Sequence, residues 1–357
     1  MMAMLKFLIE VQDVNDTIPK LASLFKIGYK VDLSEYTVLV PADLGKGRIT
    51  GVNFPNGLGL YTYKCFFHED VEIILKNLVF NPIRLVHCLK GEVLNSSEEI
   101  SEPIKIKNHE HFFIAPKTGD SHKIIFPKNK NIEICCLEID RAKFKKYLPF
   151  ELTEIEPVFY SLFGDVNALQ GKYHSGMFSL KVTDIINEIY DCKETGFPRI
   201  NFMGAKSLEI LSFMLSRYRK EITGQGIINV TGREFKAVEK ITEYINHHLS
   251  NLETIPELAL RAGVNVNKLQ AIFQSVYGQT VNEYIRDVRL SKALTLLSKG
   301  DMQISEIVQE VGLSSRSYFS KIFKEKYGVL PREILNHESG FIHEHIREEK
   351  KDNENAV

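Results

Sequence analysis

The spacing of apolar residues changes character along the chain, and the first 150 residues have a strand-like pattern. Short runs rich in Val, Ile, Phe and Tyr alternate with turn residues such as Pro55-Asn56-Gly57 and Asn81-Pro82, which predicts many short β-strands. The predicted strands cover residues 35–40, 59–67, 71–80, 83–89, 104–106, 112–115, 123–126 and 132–139. Short strands at nearly regular spacing are typical of a sandwich or barrel.

From about residue 155 to residue 222, apolar residues recur every three or four positions, which predicts helices. Two amphipathic helices are predicted at residues 178–192 and 200–218, with Gly196-Phe197-Pro198 as the break between them. They are expected either to pack on the preceding strands or to form a dimer seam, and the pattern favours neither. Gly224-Gln225-Gly226 is interpreted as a short linker.

After the linker, an amphipathic helix is predicted at residues 234–249, and then one local pattern occurs twice. The first copy is ELALRAGVNVNKLQAIFQSVYG at residues 257–278, and the second is EIVQEVGLSSRSYFSKIFKEKYG at residues 306–328. Gly263 and Gly312 close the first helical segment of each copy, and both copies end in Phe-x-x-x-Tyr-Gly. Two helical segments around a glycine turn are typical of a helix-turn-helix, so the repeat predicts two such units.

Residues around the repeats predict where the helices begin. Thr254 and Glu257 have the spacing of a capping box. Asn265 is placed to cap the second helix of the first unit, and Ser314 or Ser315 is placed to do so in the second unit. A long helix at residues 283–297 is predicted to connect the units.

The same periodicity predicts which sides of the second helices are buried. The predicted buried positions are Leu269, Ile272, Phe273 and Val276 in the first unit and Phe319, Ile322 and Phe323 in the second. The positions left facing outward are Asn267, Lys268, Gln270, Ala271 and Gln274 in the first unit and Arg316, Ser317, Ser320, Lys321 and Lys324 in the second.

Composition narrows the class of protein. A hydrophobic content of 44% and a charged content of 25% are ordinary for a globular chain. No apolar run approaches the roughly 18 residues of a membrane span, and the first residues lack the cationic start of a secretory signal. The five cysteines include no C-x-x-C pair, which is typical of reduced thiols. We therefore expect a cytoplasmic protein that has no membrane partner.

The net charge of the whole chain does not predict a nucleic-acid partner, so the charges are counted region by region. The formal net charge is −1, and residues 229–335 carry 14 Lys and Arg against 12 Asp and Glu. Local crowding is more informative, because Arg316, Lys321, Lys324 and Lys326 all fall on the last helix of the second repeat. Residues 336–357 carry 3 Lys and Arg against 6 Asp and Glu, and this charged tail is predicted to be partly disordered.

A histidine pattern in the first part raises the question of a metal. His109 and His111 lie two apart, which on a strand would direct both side chains to one side, and His122 follows closely. The order resembles the strand-turn-strand of cupin barrels, where an H-x-H pair, a distant Glu and a further His hold a metal. No suitable Glu follows His111 at the expected distance, so we expect barrel-turn residues and predict no metal, no other cofactor and no catalytic residue. The alternative is a cupin-type metal-dependent enzyme or sensor fused to a DNA-binding domain, with His109, His111 and His122 as ligands.

The repeat region closely resembles the C-terminal DNA-binding domain of AraC/XylS-type transcription regulators. The resemblance covers about residues 234–335, and its most specific part is ISEIVQEVGLSSRSYFSKIFKEKYGVLP at residues 304–331. It implies two recognition helices that enter successive major grooves of double-stranded DNA, which lie about 34 Å apart.

The resemblance also implies roles for individual side chains. Base contacts fall by position on Asn267, Gln270 and Ala271 in the first unit and on Arg316, Ser317, Ser320 and Lys321 in the second. Lys268 and Lys324 are assigned to phosphates. Ala271 stands where the family commonly has an arginine, so the second recognition helix is expected to be better equipped for polar base readout.

The first part of the chain more loosely resembles the cupin-like sensor domains of the same family, through LVHCLKGE at residues 85–92. The expected fold class is therefore multidomain. It comprises a mostly β cupin-like barrel at 1–150, a helical linker or dimerisation region at 151–223, an all-α AraC-type DNA-binding domain with two helix-turn-helix motifs at 229–335, and the charged tail at 336–357. The expected function is a sequence-specific DNA-binding transcription regulator whose first domain senses a small effector or a partner. RNA polymerase and a second copy of the chain are further candidate partners.

Overall fold

The computed structural model describes residues 4–11, 14–79, 81–176, 178–224 and 230–335. The chain divides into two compact units, residues 1–227 and residues 228–357. Phe80, the last two residues of the predicted linker and the predicted disordered tail at 336–357 lie outside the described residues. None of the helices in the described ranges is long and apolar enough to cross a membrane.

The first unit is built on two β-sheets. Its strands are β1 (Leu5–Val11), β2 (Tyr29–Asp32), β3 (Glu35–Leu39), β4 (Gly45–Asn53), β5 (Leu58–Phe67), β6 (Val71–Asn77), β7 (Ile83–Lys90), β8 (Glu92–Ser96), β9 (Ile104–Lys107), β10 (His111–Ala115), β11 (His122–Phe126), β12 (Ile132–Ile139) and β13 (Lys172–Ser175). One sheet has the order β1-β6-β11-β8-β9, and the other has the order β13-β10-β7-β12-β5-β4-β3-β2. Neighbouring strands are antiparallel except β1 and β6, which are parallel.

The two sheets enclose one hydrophobic core. Successive side chains on a strand point to opposite faces, so on β12 Ile134 and Cys136 face the other sheet together with Tyr63 of β5. Ile73 and Ile124 meet them from the smaller sheet. Helix α1 (Thr17–Leu24) adds its own buried side chains to the same core. The predicted barrel-like, mostly β first part is confirmed.

The opposite face of the larger sheet forms a second core with four helices. These are α2 (Arg141–Tyr147), α3 (Pro157–Phe163), α4 (Leu180–Asp191) and α5 (Gly196–Thr223). Leu85 and Leu137 on this face of the sheet pack with Ile185 of α4 and Ile210 of α5. Of the two expectations for these helices, packing on the strands is therefore present in the structure, and the dimer seam stays a prediction.

The predicted break at Gly196-Phe197-Pro198 is wrong, because these residues form the first turn of α5. A proline is tolerated there, since the first N–H groups of a helix have no partner within it. The break between α4 and α5 lies at Cys192–Thr195 instead. Strand β13 also belongs to the region predicted as helical, and it pairs with β10 at the edge of the larger sheet.

The second unit is all helical in its described residues. Its helices are α6 (Gly232–His247), α7 (Ile255–Arg261), α8 (Val266–Tyr277), α9 (Val281–Lys299), α10 (Ile304–Glu310) and α11 (Arg316–Tyr327), and a 3₁₀ turn (Leu249–Asn251) follows α6. Helix α9 packs against both helix-turn-helix units. Near its start, the Tyr284 ring lies 4.6 Å from the Tyr277 ring between centroids, and toward its end Leu290 and Leu297 pack with Phe319 and Phe323.

Candidate nucleic-acid interface

The two predicted turns have the same backbone geometry. Gly263 and Gly312 both have left-handed conformations, with φ of +70° and +71°. Each turn closes with a pair of hydrogen bonds: Gly263 and Val264 donate to Leu260 and Ala259 at 2.9 and 3.0 Å, and the second unit repeats this at Gly312 and Leu313, both at 2.9 Å. This is a Schellman motif, which glycine accommodates without strain. The predicted glycine turns are confirmed in both repeats.

Side-chain caps then set the start of the second helix of each unit. The Asn265 side chain accepts a hydrogen bond from the Lys268 N–H at 2.8 Å, which begins α8. Of the two candidate serines, Ser315 caps α11 by accepting from the Tyr318 N–H at 3.2 Å. The predicted capping box is also present, since Glu257 accepts from the Thr254 N–H at 2.7 Å.

The apolar stripes anchor α8 and α11 as predicted. Leu269, Ile272, Phe273 and Val276 of α8 are buried, and so are Phe319, Ile322 and Phe323 of α11. The polar faces of α8 and α11 are thereby held outward, and the two faces differ in how their side chains are used.

The outer face of α11 is basic. Arg316, Ser317, Lys321 and Lys324 are exposed, and Ser320 is half-buried. Ser320, Lys321 and Lys324 line a shallow depression of about 360 Å³. Within the described part of the chain, Arg316, Lys321 and Lys324 have no acidic partner, whereas Lys326 forms an ion pair with Asp287 at 2.7 Å. Three long cationic side chains are therefore available to a ligand on this face.

Most polar side chains on the outer face of α8 form hydrogen bonds or ion pairs within the second unit. The Lys268 Nζ lies 3.1 Å from Glu234 of α6. Gln270 accepts a hydrogen bond from the Val281 N–H at 3.0 Å, and so satisfies a first-turn donor of α9 that has no partner within its helix. Ala271 is half-buried, and only Asn267 and Gln274 are exposed. Gln274 donates to the Gly278 carbonyl at 2.9 Å, which leaves Asn267 as the most accessible polar group among the predicted contacts of α8.

A groove beside α11 involves residues that the sequence pattern did not single out. Arg286 and Arg289 of α9 line it together with Tyr318, and its volume is about 240 Å³. The Arg289 Nε is buried without a hydrogen-bond partner among the described residues. Burial lowers the pKa of the Arg289 guanidinium, and Tyr318 partly offsets this. The sequence signal was the spacing of Arg286 and Arg289, which puts both cations on one side of α9.

The three histidines considered as metal ligands lie in the first unit and do not converge. The Nε2 of His122 bonds to Asn95 at 3.0 Å, and the Nδ1 of His109 bonds to Thr183 at 2.9 Å. His109 has a φ of +65° in the turn before β10, and His111 is the first residue of β10, so the two side chains do not extend from one strand. No group of three or more His, Cys, Asp and Glu side chains is arranged to hold a metal ion in the ranges that the structure covers.

His111 instead belongs to a cluster of charged and polar side chains around the Glu221 carboxylate, near the end of α5. Its Nε2 lies 3.6 Å from Glu221, and the Nε2 of His174 lies 2.7 Å from the same carboxylate. Burial alone would raise the pKa of Glu221, but the two imidazoles and the guanidinium of Arg217 outweigh it and hold that pKa well below its usual range. The cluster therefore ties the last turn of α5 to β10 and β13.

Comparison with known proteins agrees with the geometry of the second unit. Residues 258–337 match a family model described as a helix-turn-helix domain. The transcriptional activator Btr of Bacillus subtilis is 34% identical over 86 residues, which is 24% of this chain and 16% of that protein. The regulator ExsA of Pseudomonas aeruginosa is 30% identical over 94 residues, 26% of this chain and 34% of that protein. The second unit contains a helix-turn-helix domain, and the chain is similar in part to bacterial transcription regulators.

The chain covers well under two thirds of the length of these relatives. Among solved structures, a probable AraC family regulator from Rhodopseudomonas palustris is 26% identical, covers 29% of this chain and 97% of that chain, and has a TM-score of 0.27. An apo form of ToxT from Vibrio cholerae is 16% identical, covers 78% of this chain and 97% of that chain, and has a TM-score of 0.32.

Proposed function

We propose that the protein is a sequence-specific DNA-binding transcription regulator whose α8 and α11 enter successive major grooves of double-stranded DNA. The observation that carries the proposal is the pair of matched helix-turn-helix units, each with a Schellman turn and a side-chain cap, joined by α9. Helix α9 has 19 residues, which corresponds to about 28 Å at 1.5 Å per residue. This length suits helices that must reach grooves about 34 Å apart.

The proposed base contacts are divided unequally. On α11, Arg316 and Lys321 would donate to guanine O6 and N7, with Ser317 and Ser320 beside them. Lys324 would contact phosphate, which positions the protein without reading sequence. Arg286 and Arg289 would also contact phosphate, because the groove that they line adjoins α11.

On α8 the exposed Asn267 is the leading candidate for a base contact, and Ala271 offers an apolar contact to a thymine methyl. Gln270 would have to release the Val281 N–H before its amide could pair with adenine. Lys268 would contact phosphate at the expense of its ion pair with Glu234. We therefore expect α8 to contribute more to positioning and α11 more to sequence selection.

The first unit is proposed to be the sensor. Inside the barrel, Arg84 is 1% exposed and donates to Glu138 at 2.5 Å and to Asn77 at 2.6 Å. The Nη1 of Arg84, the Nδ1 of His122 and the Nδ2 of Asn95 are buried without a hydrogen-bond partner in the described residues. Because buried polar atoms are rarely left unpaired, a small polar effector that reached them would gain hydrogen bonds. Direct contact with RNA polymerase stays a prediction.

DNA binding is tested with the full-length protein and duplexes that it selects from a random pool. The double variant Arg316→Ala/Lys321→Ala should weaken binding to the selected duplex by about tenfold or more, because each good base contact contributes about 1–3 kcal/mol. Lys326→Ala is the matched control, since that lysine is paired with Asp287. Unchanged affinity in the double variant would refute the assignment of α11.

The sensor role is tested by screening small polar metabolites for an increase in the melting temperature of the first unit within the full-length protein. A ligand that binds there should change the Kd for the selected duplex, and the duplex should change the Kd for the ligand by the same factor. A ligand that binds the first unit and leaves the DNA affinity unchanged would count against a sensor.

A further inference from the structure

Strand β2 forms an open end of the larger sheet. It pairs with β3 on one side, and among the described residues no strand pairs with its other side. All four of its residues are exposed. The apolar side chains here are unusually open to solvent, with Tyr29 45%, Val31 48% and Leu33 61% exposed. Open edges that carry apolar side chains are normally covered or blocked in native proteins.

The register of β2 with β3 shows which face these side chains occupy. Tyr29 lies opposite Val38, and Val31 lies opposite Tyr36. Val38 is buried in the core between the sheets, and Tyr36 packs against that core. Because directly opposed residues share a face, Tyr29 and Val31 extend this apolar face to the edge of the larger sheet. Lys30 and Asp32 alternate with them and lie on the other face.

The backbone of β2 also has unpaired groups directed outward. Asp32 and Glu35 are directly opposed across the two-residue turn Leu33-Ser34, so they form the hydrogen-bonded pair that closes the hairpin. Hydrogen-bonded and non-bonded pairs alternate along an antiparallel ladder. The N–H and C=O groups of Val31 and Tyr29 therefore point away from β3, toward the open side.

We propose that a second copy of the chain pairs with this edge, β2 against β2, antiparallel about a two-fold axis at Val31. Val31 then exchanges both backbone hydrogen bonds with Val31 of the second copy. Lys30 lies opposite Asp32 of the second copy and Asp32 opposite its Lys30, so two ion pairs form in the non-bonded positions, where side chains approach most closely. A lysine on an edge usually opposes strand addition, but this register neutralises it.

Charge favours one register of the two β2 strands over its neighbours. Centring the axis on Lys30 would oppose two lysines, and centring it on Asp32 would oppose two aspartates, which is unfavourable in either case. Only the Val31 register, among these three, pairs opposite charges and keeps the apolar side chains on one face. The resulting dimer joins the first units edge to edge, and it does not depend on the DNA-binding role of the second unit.

The test measures the dimer dissociation constant of the full-length protein by sedimentation equilibrium. Lys30→Asp alone should weaken the dimer by about tenfold or more, because two attractive pairs become repulsive. Asp32→Lys alone should do the same, and the double variant Lys30→Asp/Asp32→Lys should restore the wild-type constant because the pairs are only exchanged. Within its own hairpin Lys30 faces the uncharged Thr37, so Lys30→Asp should leave the melting temperature of a dilute, monomeric sample unchanged.

Three outcomes would overturn the proposal. The wild type could be a monomer at all concentrations, which would leave this edge to another partner. It could form a dimer that neither single variant weakens, which would place the interface elsewhere, for example on α4 and α5. The double variant could fail to recover, which would show that charge pairing does not set the register.

Discussion

The two glycine turns provide a matched pair of sites that test how the second unit is held together. Gly263 and Gly312 have the same left-handed conformation, so an alanine at either site pays the same backbone penalty, about 1 kcal/mol or slightly more. Their surroundings differ. A methyl group at position 263 would meet nothing within 4 Å, whereas at position 312 it would lie 1.9 Å from the Leu249 carbonyl oxygen.

The contact at position 312 cannot be relieved by a rotamer change, because the obstacle is backbone. Leu249 begins the 3₁₀ turn after α6, and it is itself buried. The turn of the second unit and the end of α6 must therefore separate to admit the methyl group. Overpacking of this kind costs about 1–3 kcal/mol beyond the backbone strain. We expect Gly263→Ala to destabilise the second unit by about 1 kcal/mol and Gly312→Ala by about 2–4 kcal/mol.

Native-state hydrogen exchange of the full-length protein reports this locally, because amides in α10 and α11 exchange through opening of the second unit. Protection of these amides should fall about fivefold in Gly263→Ala and about thirtyfold or more in Gly312→Ala, at 1.4 kcal/mol per factor of ten. Amides of β5 and β12 in the first unit serve as the internal control and should not change. Equal loss of protection in the two variants would refute the argument from the Leu249 contact.

Two further predictions concern the caps and the face of α8. Hydrogen bonds from the Thr254 and Thr280 N–H groups lower the pKa of Glu257 and Glu283 in the folded protein. The ionised carboxylates therefore stabilise the fold above the ordinary glutamate pKa of about 4.3. This stabilisation is lost as the pH falls through the lower pKa of the folded state. The melting temperature of the second unit should therefore fall on acidification below about pH 4, less steeply in Glu257→Gln/Glu283→Gln, and an identical pH profile in that variant would contradict the assignment. Gln270→Ala should destabilise the second unit by about 1 kcal/mol without DNA present, because the Val281 N–H loses its acceptor, and urea unfolding that shows no difference from the exposed-site control Asn267→Ala would contradict it.

The second unit could be predicted in detail because its determinants are local in sequence. Glycine at the left-handed position, Thr-x-x-Glu boxes and apolar stripes each act within a few residues. The predicted bounds of α9, residues 283–297, are two residues short at each end, since the helix begins at Val281 and ends at Lys299. The pattern could not show which polar side chains form hydrogen bonds within the unit. Gln270 accepts from the N–H of Val281, which is eleven residues away in the sequence.

The first unit was less predictable because its strands pair over long distances. Strand β4 contains three glycines in GKGRITGVN, a composition that favours a turn, and it forms a strand only because β3 and β5 pair with it on both sides. Strand β2 carries no buried residue, so no alternation marks it. Strand β1 pairs in parallel with β6, more than sixty residues later, and such a partner has no local signal.

If α8 and α11 read DNA as proposed, the internal role of Gln270 has a consequence for how binding specificity can change over evolution. A substitution at Gln270 removes a hydrogen bond that holds the start of α9, and a substitution at Lys268 removes an ion pair with α6. Changes in α8 that alter the preferred operator therefore also lower the stability of the second unit. Arg316 and Lys321 have no such second duty among the described residues. New operator preferences should therefore arise first through α11, and a library built to retarget the protein will yield more folded variants when it varies α11 and leaves α8 intact.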